Sequence, residues 1–227
     1  MSELKLPKQS QVVIIGGGVI GCSVAYHLVK LGWTDVLLLE RKELTCGTTW
    51  HAAGLVGQLR ATRNMTMLAQ YTSELFAELE TETGQATGFK QNGSISVAPD
   101  QERFEELKRG ASMAKCFGLE VEVITAKEAL DFHPYLNIKD LCGAVFLPKD
   151  GQTNPIDTTR ALAQGARMGG ATIMENIRVH GILREKDTVT GVITEQGQVK
   201  AEYVVNCAGL WGRQVGKMAG VNVPLHA

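Results

Sequence analysis

The sequence has no excess of either charge, since 23 Lys and Arg residues face 24 Asp and Glu residues and the formal net charge is −1. Proteins that bind a nucleic-acid backbone carry a clear surplus of Lys and Arg. No stretch reaches the roughly 18 apolar residues that a membrane-spanning helix needs. We therefore expect neither a nucleic acid nor a membrane among the partners.

Cysteine is sparse as well, with five residues, an odd number, and no two of them at CxxC spacing. This pattern argues against a disulfide framework and against a zinc site. The histidines show neither the i, i+4 spacing nor the facial-triad pattern of a metal site. We therefore expect no metal.

The N-terminal segment, residues 1–7, lacks the apolar core of a signal peptide and the Arg- and Ser-rich pattern of a transit peptide. On this ground we expect a cytoplasmic protein. Residues 223–227 end the sequence without a closing helix or strand. We therefore also expect the chain to be a fragment or one piece of a split protein.

A strand, a glycine turn, a helix and a second strand are predicted at the start of the chain. Residues 11–15 and 36–39 are apolar runs typical of buried parallel strands. A helix is predicted over 19–31, and Gly32 ends it. This order predicts a right-handed βαβ unit.

Gly16, Gly18 and Gly21 have the spacing of a dinucleotide-binding fingerprint inside this unit. The first glycine permits a tight turn, the second lets the backbone approach a pyrophosphate, and the third lets the helix pack on the strand. The helix N-terminus offers free N–H groups and a partial positive charge. Glu40 ends the second strand, where an acid accepts hydrogen bonds from a ribose hydroxyl and repels the extra phosphate of NADP. This region alone leaves NAD and FAD open.

The rest of the chain alternates helices and strands and indicates two interleaved domains. A helix with one apolar face is predicted over 62–80, and Asp100 is expected to cap a helix that runs to about residue 117. Thr125 and Glu128 have capping-box spacing, and Asn154-Pro155 predicts a helix start. The predicted strands are 94–98, 171–174, 177–183, 189–194 and 198–205, with Gly191 and Gly197 near turns.

Residues 45–55 are rich in small and hydroxyl side chains, which let a backbone pass close to a flat ring. The block of residues 48–55 resembles the flavin-contacting segment of the dimethylglycine and sarcosine dehydrogenase family, a branch of the D-amino-acid-oxidase-like flavoproteins. The resemblance covers roughly residues 10–225 and implies FAD as the cofactor. In the family, the histidine after the tryptophan bonds covalently to the methyl group on the flavin's benzenoid edge, and the matching residue is His51.

This linkage is chemically reasonable, because the electron-poor ring acidifies that methyl group and a neutral imidazole nitrogen is a competent nucleophile. Two alternatives stay open. One is a histidine that only packs beside the ring, and the other is attachment through Cys46, which lies outside the matching block.

The resemblance extends to the second half of the chain. In this flavoprotein class a late strand ends in an Ala-Gly turn under the FAD phosphates, and an earlier strand contacts adenine through its backbone. Asp150 and Asn154 are either polar anchors near the site or, as we favour, a turn former and a helix cap. The predicted cofactor-binding residues are Gly16, Gly18, Val19, Ile20, Gly21, Glu40, Arg41, Thr48, Thr49, His51, Ala53, Gly54, Leu55, Val179, Ala208, Gly209 and Trp211.

The predicted fold is therefore α/β, with a Rossmann-type FAD-binding domain interleaved with part of an α+β substrate domain and an incomplete C-terminus. We predict a first FAD-binding segment over 1–88, a substrate-domain portion over 89–147 and a second FAD-binding segment over 148–227.

The resemblance implies a flavoprotein oxidoreductase of one-carbon metabolism that demethylates a secondary or tertiary amine such as dimethylglycine or sarcosine. Hydride transfer from the N-methyl carbon to flavin precedes the release of formaldehyde, and an electron-transfer flavoprotein or oxygen accepts the electrons. Folate is implied only for a longer parent protein, and the catalytic residues are expected beyond residue 227. The alternatives are a flavoenzyme for another amine or amino acid and a truncated, non-catalytic FAD-binding module.

Overall fold

The computed structural model describes residues 5–225, so residues 1–4 and 226–227, which belong to the two terminal segments considered above, lie outside the described residues. Six helices and eleven strands make up the described chain. The helices are α1 (Val19–Lys30), α2 (Arg63–Thr83), α3 (Gln101–Cys116), α4 (Ala129–Phe132), α5 (Pro155–Met168) and α6 (Gly212–Met218). The strands are β1 (Gln9–Ile15), β2 (Val36–Leu39), β3 (Leu55–Val56), β4 (Ser94–Ala98), β5 (Glu122–Ile124), β6 (Gly143–Leu147), β7 (Gly151–Gln152), β8 (Thr172–Met174), β9 (Val179–Glu185), β10 (Thr188–Thr194) and β11 (Gly197–Asn206).

The described residues form two compact units. The Rossmann unit contains residues 5–53, 79–87 and 154–225, and the second unit contains residues 54–78 and 88–153. The domain boundaries predicted at 88/89 and 147/148 stay a prediction, and the two units differ from them in placing residues 54–78, 88 and 148–153 with the second unit.

A six-stranded sheet forms the centre of the Rossmann unit, in the order β8-β2-β1-β11-β10-β9. The first four strands of this order run parallel, as the βαβ pattern predicts. Residues 12–15 are buried along their whole length, which explains why this run is apolar at every position. Ile15 lies level with Leu39 in β2 and with Asn206 in β11, so three parallel strands end at one edge. The predicted α/β fold with a parallel sheet is confirmed.

Helices α1 and α5 pack on each other beside this sheet, and small residues permit the close approach. A Cβ atom on Gly165 of α5 would lie 2.7 Å from the ring of Tyr26 in α1, which is fully buried. The Tyr26 hydroxyl donates a hydrogen bond of 2.7 Å to Glu82 at the end of α2. Lys30 forms an ion pair with the same carboxylate at 2.8 Å.

The predicted helix boundaries are confirmed where a local cap sets them. Asp100 accepts a hydrogen bond from the Arg103 N–H at the start of α3. The capping box of Thr125 and Glu128 also forms, but α4 begins only at Ala129, because residues 126–128 make a turn rather than a helix.

Two details of the β-rich region differ from the prediction. β9 begins at Val179 rather than at 177 and extends to Glu185, because the tight turn at Lys186, with φ of 56°, follows later than expected. Gly191 lies inside β10 rather than near a turn. It sits at a register shift with φ of 152°, and a Cβ there would collide with the Val199 carbonyl oxygen.

The second unit contains the antiparallel sheet β4-β6-β5 and the short pair β3-β7. Its core joins α3 to β6, with Ala111, Ala114, Val145 and Leu147 buried together.

The apolar face predicted for α2 is buried only in part. Leu79 is fully buried, whereas Met65 and Leu68 are more than half exposed.

Two further findings concern membranes and metals. None of the helices within residues 5–225 combines the length and the apolar character that crossing a bilayer requires. In the same residues, no three His, Cys, Asp or Glu side chains come together as a metal site.

Candidate functional site

A cleft opens in the Rossmann unit at the carboxyl ends of β1, β2 and β11. The start of α1, the loop 46–49, residues 177–179 and one face of α6 complete its walls. Including its open mouth, the cleft has a volume of about 850 Å³. Ligands of open α/β sheets bind at this edge, outside the carboxyl ends of the strands.

Many of the predicted cofactor-binding residues meet in this cleft, and others do not line it. The residues that line it are Gly16, Gly18, Glu40, Arg41, Thr48, Thr49, Val179, Ala208, Gly209 and Trp211. Those outside the lining are Val19, Ile20, Gly21, His51, Ala53, Gly54 and Leu55, of which Gly54 and Leu55 belong to the second unit.

The glycine fingerprint shapes the part of the cleft where a pyrophosphate is expected. Gly16 has φ of 114°, and a Cβ there would collide with the Cys207 carbonyl oxygen. A Cβ on Gly21 would collide with the Gly16 carbonyl oxygen, so α1 lies directly against the turn. Gly18 caps α1, and the first helical turn contains no acidic side chain. The positive end of the helix is therefore available to an anionic group, which fits a dinucleotide.

Thr49 joins the loop 46–49 to the start of α1. Its hydroxyl accepts a hydrogen bond of 3.0 Å from the Val19 N–H. A Cβ on Gly18 would lie 3.1 Å from the same hydroxyl oxygen, so only glycine fits there without displacing the threonine. Val19 thus supports the site through its backbone although it does not line the cleft.

Glu40 lines the cleft, but the backbone already engages its carboxylate. Oε2 accepts a hydrogen bond of 2.7 Å from the Gly17 N–H, and Oε1 accepts one of 2.9 Å from the Lys42 N–H. The predicted bond from Glu40 to a ribose hydroxyl stays a prediction, whereas neither backbone contact was apparent in the sequence.

Arg41 and Trp211 stack on each other along the cleft wall. The Arg41 guanidinium carbon lies 3.8 Å from the centre of the Trp211 ring, well within the distance for a cation–π interaction. Trp211 also approaches Gly47, since a Cβ on Gly47 would lie 3.8 Å from the indole ring. The stack therefore joins the segment after β2, the loop 46–49 and the turn after β11.

Cys46 and Cys207 contribute two thiols to the lining of the cleft. The pKa of the Cys46 thiol is raised mainly by burial and, to a smaller extent, by the neighbouring Glu40 carboxylate. Burial also raises the pKa of the Cys207 thiol. Both thiols therefore stay protonated near neutral pH, and the protonated form is the less nucleophilic one. This disfavours Cys46 as a covalent attachment point.

His51 ends a short 3₁₀ turn, Thr49–His51, and its side chain is exposed. The imidazole packs against the neighbouring Trp50, with the ring centres 3.7 Å apart and the planes tilted by 34°. His51 is therefore accessible and lies two residues from Thr49, which lines the cleft. The covalent bond predicted for it stays a prediction.

Asn154 has the capping role that the sequence favours, whereas the Asp150 side chain bonds to residues distant in the sequence instead of forming a local turn. The Asn154 side chain accepts hydrogen bonds from two N–H groups in the first turn of α5. In the second unit, the buried Asp150 accepts hydrogen bonds from the Gln58 N–H at 2.8 Å and the Ser94 hydroxyl at 2.6 Å.

Several cleft residues escaped the sequence-based prediction. Arg178 precedes Val179, and Gln214, Val215 and Met218 line the cleft from α6. The i, i+3, i+4, i+7 spacing of these α6 residues from Trp211 was the available signal, because it places them on one helix face. Cys46 and Gly47, which belong to the predicted segment 45–55, also line the cleft, and the remaining members of the unpredicted lining are Ile15, Leu39, Ile177 and Cys207.

Comparisons with known proteins agree with this geometry. The family model described as FAD dependent oxidoreductase matches residues 11–227. The chain is 44% identical to human sarcosine dehydrogenase, 42% to 4-methylaminobutanoate oxidase (formaldehyde-forming) of Paenarthrobacter nicotinovorans and 40% to rat dimethylglycine dehydrogenase, over 96–98% of its length. The crystal structure of L-proline dehydrogenase from P. horikoshii superposes with a TM-score of 0.90 at 31% identity, covering 95% of this chain and 57% of that one.

The same relatives bear on length and location. The chain spans 25–27% of the length of these three relatives. The human and rat enzymes are mitochondrial proteins. This contradicts the expectation of a cytoplasmic protein.

Proposed function

This chain belongs to the family of FAD-dependent oxidoreductases, and we propose that the protein containing it oxidises the N-methyl group of a secondary or tertiary amine such as dimethylglycine or sarcosine. The observation that carries the proposal is the identity of 40–44%, over nearly the whole chain, to three enzymes named for N-methyl amino acids. Sarcosine, dimethylglycine and 4-methylaminobutanoate share an N-methyl amine and a carboxylate.

The residues of the cleft are suited to hold FAD. Gly16 and Gly18 bring backbone to the surface where a pyrophosphate binds, and the start of α1 faces it with a partial positive charge. Apolar side chains of the lining, Ile177, Val179 and Met218, suit the flat adenine ring. Bound FAD would supply the two-electron acceptor, and the protein contributes binding, orientation and the exclusion of water.

We extend the proposal to a covalent bond between His51 and the flavin. Its support is the match of residues 48–55 to the family segment, together with the exposure of the imidazole beside the cleft. Folate binding is proposed only for a longer protein that contains this chain. The electron acceptor is proposed to be an electron-transfer flavoprotein or oxygen.

Acid precipitation tests the linkage. The purified protein is precipitated with acid, and flavin absorbance is measured in the pellet and in the supernatant. The control variant is His180→Ala, because His180 is an exposed histidine on β9. A yellow pellet from the natural protein and from this control, together with a yellow supernatant from His51→Ala, would support the bond. Yellow supernatant from all three proteins would end the covalent proposal and leave the FAD site intact.

Formaldehyde release tests the substrate. The protein is incubated with dimethylglycine, sarcosine or glycine, and formaldehyde is measured together with flavin reduction. We expect formaldehyde from the two N-methylated substrates and none from glycine, which has no methyl group to lose. Reduction of the flavin by glycine or alanine, without formaldehyde, would instead point to a flavoenzyme for unmethylated amino acids.

A further inference from the structure

Glu40 has two conceivable roles in the cofactor cleft, and the structure separates them. The motif assigns its carboxylate to a ribose hydroxyl of the cofactor. In the structure, each carboxylate oxygen instead accepts a backbone N–H, from Gly17 at 2.7 Å and from Lys42 at 2.9 Å. Glu40 is also only 8% exposed, so burial shields these bonds from competition with water.

The Gly17 bond is one half of a two-way connection between the glycine turn and residues 40–46. Gly17 donates its N–H to Glu40, and its carbonyl oxygen accepts a hydrogen bond of 3.0 Å from the Thr45 N–H. The packing is equally close, because a Cβ on Gly17 would lie 2.5 Å from the Leu44 side chain and 2.8 Å from Cβ of Glu40. The turn that receives the pyrophosphate is thus held from the side by this segment.

The segment 40–46 is itself held in an unfavourable backbone conformation. Thr45 has φ of 71°, a region that β-branched residues rarely adopt. Such a conformation persists only where surrounding contacts over-determine it. The bonds of Glu40 to Gly17 and Lys42, and that of Thr45 to Gly17, are contacts of this kind.

We propose that Glu40 is a positioning residue, whose main contribution to cofactor binding is to hold the glycine turn and residues 40–46 in the binding geometry, independently of the ribose. The Cys46 thiol also donates a hydrogen bond of 3.7 Å to Oε1. An ionised carboxylate has about four acceptor positions, so these three bonds still leave room for a ribose hydroxyl. The proposal concerns which of the two roles dominates. It rests on FAD as the cofactor and is independent of the substrate proposed above and of the His51 bond.

A binding cycle separates the two roles. Dissociation constants are measured by flavin fluorescence for FAD and for an FAD analogue whose adenosine ribose carries no hydroxyl groups. The reference protein carries His51→Ala, so that the proposed covalent bond cannot form, and it is compared with the same protein carrying Glu40→Gln. The amide of Gln accepts one backbone N–H but presents its own NH₂ group to the other. Acid precipitation identifies any covalently bound fraction, and reconstitution starts from cofactor-free protein.

We expect Glu40→Gln to weaken the binding of both cofactors by the same factor, roughly tenfold or more, because a hydrogen bond to a charged acceptor is lost. The ratio of the two dissociation constants then stays as in the reference protein. A variant that loses affinity for FAD alone, and binds the analogue as tightly as the reference protein does, would overturn the proposal in favour of the ribose role.

A cofactor-free measurement adds an independent readout. Hydrogen exchange of the Gly17 and Lys42 amides is followed by NMR in the protein without FAD. Glu40→Gln is expected to accelerate the exchange of at least one of them by about tenfold. Unchanged exchange at both amides would contradict the positioning role.

Two further variants control for charge and for folding. Glu43→Gln removes the same charge from an exposed position in the same turn and measures any general electrostatic effect on the cofactor phosphates. Glu40→Asp keeps the charge but is one methylene shorter, so its carboxylate cannot reach both N–H groups. If Glu40→Gln does not fold, Glu40→Asp takes its place. We then expect Glu40→Asp to lose affinity for FAD and for the analogue by the same factor, and a loss of affinity for FAD alone refutes the proposal.

Discussion

Gly165→Ala tests the close packing of α5 on α1, which supports the cofactor cleft. Gly165 faces Tyr26, and a Cβ there would lie 2.7 Å from two carbons of its ring. The ring has little room to move, because it is fully buried and its hydroxyl is bonded to Glu82. Thr83 blocks the other side, with its methyl group 3.2 Å from the same Cβ position.

Two opposing effects set the magnitude. Replacing glycine by alanine in a helix stabilises it by about 1 kcal/mol. Overpacking a rigid core costs roughly 1–3 kcal/mol, and the fixed ring places this site near the upper end. The net effect is a destabilisation of about 2 kcal/mol, or a fall in Tm of about 4–8 °C for a chain of this size.

Gly110→Ala is the matched control, because Gly110 lies in α3 and nothing stands within 4 Å of its Cβ position. This variant should gain the helix propensity alone, about 1 kcal/mol. Urea unfolding followed by circular dichroism measures both variants, and their midpoints should move in opposite directions. Equal stabilisation of the two would refute the packing of Gly165 against Tyr26.

Three other predictions concern a thiol, an ion pair and the fingerprint. Burial raises the pKa of the Cys22 thiol to about 12, so at pH 8 iodoacetamide should alkylate it at least ~10³-fold more slowly than the exposed Cys116, as followed by mass spectrometry. Although burial raises the pKa of Glu82, hydrogen bonds from Lys30 and Tyr26 outweigh this effect and hold the pKa below its usual 4.5. The ionised carboxylate therefore contributes stability above pH 4.5, and this contribution is lost as the pH falls through the lowered pKa. The free energy of unfolding of Glu82→Gln, measured by urea titration, should therefore fall less on acidification than that of the natural protein, by an amount within the roughly 0.2–1 kcal/mol of a partly exposed pair. Gly21→Ala should abolish FAD binding in equilibrium dialysis while most of the circular dichroism is kept, because the new methyl group drives α1 away from Gly16.

The elements with local causes could be predicted from the sequence. The strand β2, the helix α5 and the caps at Asp100 and Asn154 depend on residues within one or two turns of backbone, and they form where the pattern placed them. The bulge at Gly191 could not be predicted in this way. The carbonyl oxygen of Val199 in β11 leaves no room for a side chain at this position, and that contact exists only once the strands have paired.

The candidate site divides in the same way. Gly16 and Gly18 follow from a spacing within one turn, whereas Arg178 and Gln214 reach the cleft only because β9 and α6 meet the ends of β1 and β2. For His51 the motif indicates the neighbourhood but not the direction of the side chain. That direction is set by the 3₁₀ turn and by the packing on Trp50.

Glu40 shows why a motif identifies a residue more reliably than its role. A carboxylate at the end of β2 can accept a hydroxyl of a bound ribose or the N–H groups of its own chain, and both roles need the same acceptor in the same place. Spacing alone therefore cannot rank them. The ranking comes from the donors within reach, and here Gly17 and Lys42 supply two of them before any cofactor arrives. An acid held in this way organises the turn in the free protein, so its loss should alter the empty site as well as the filled one.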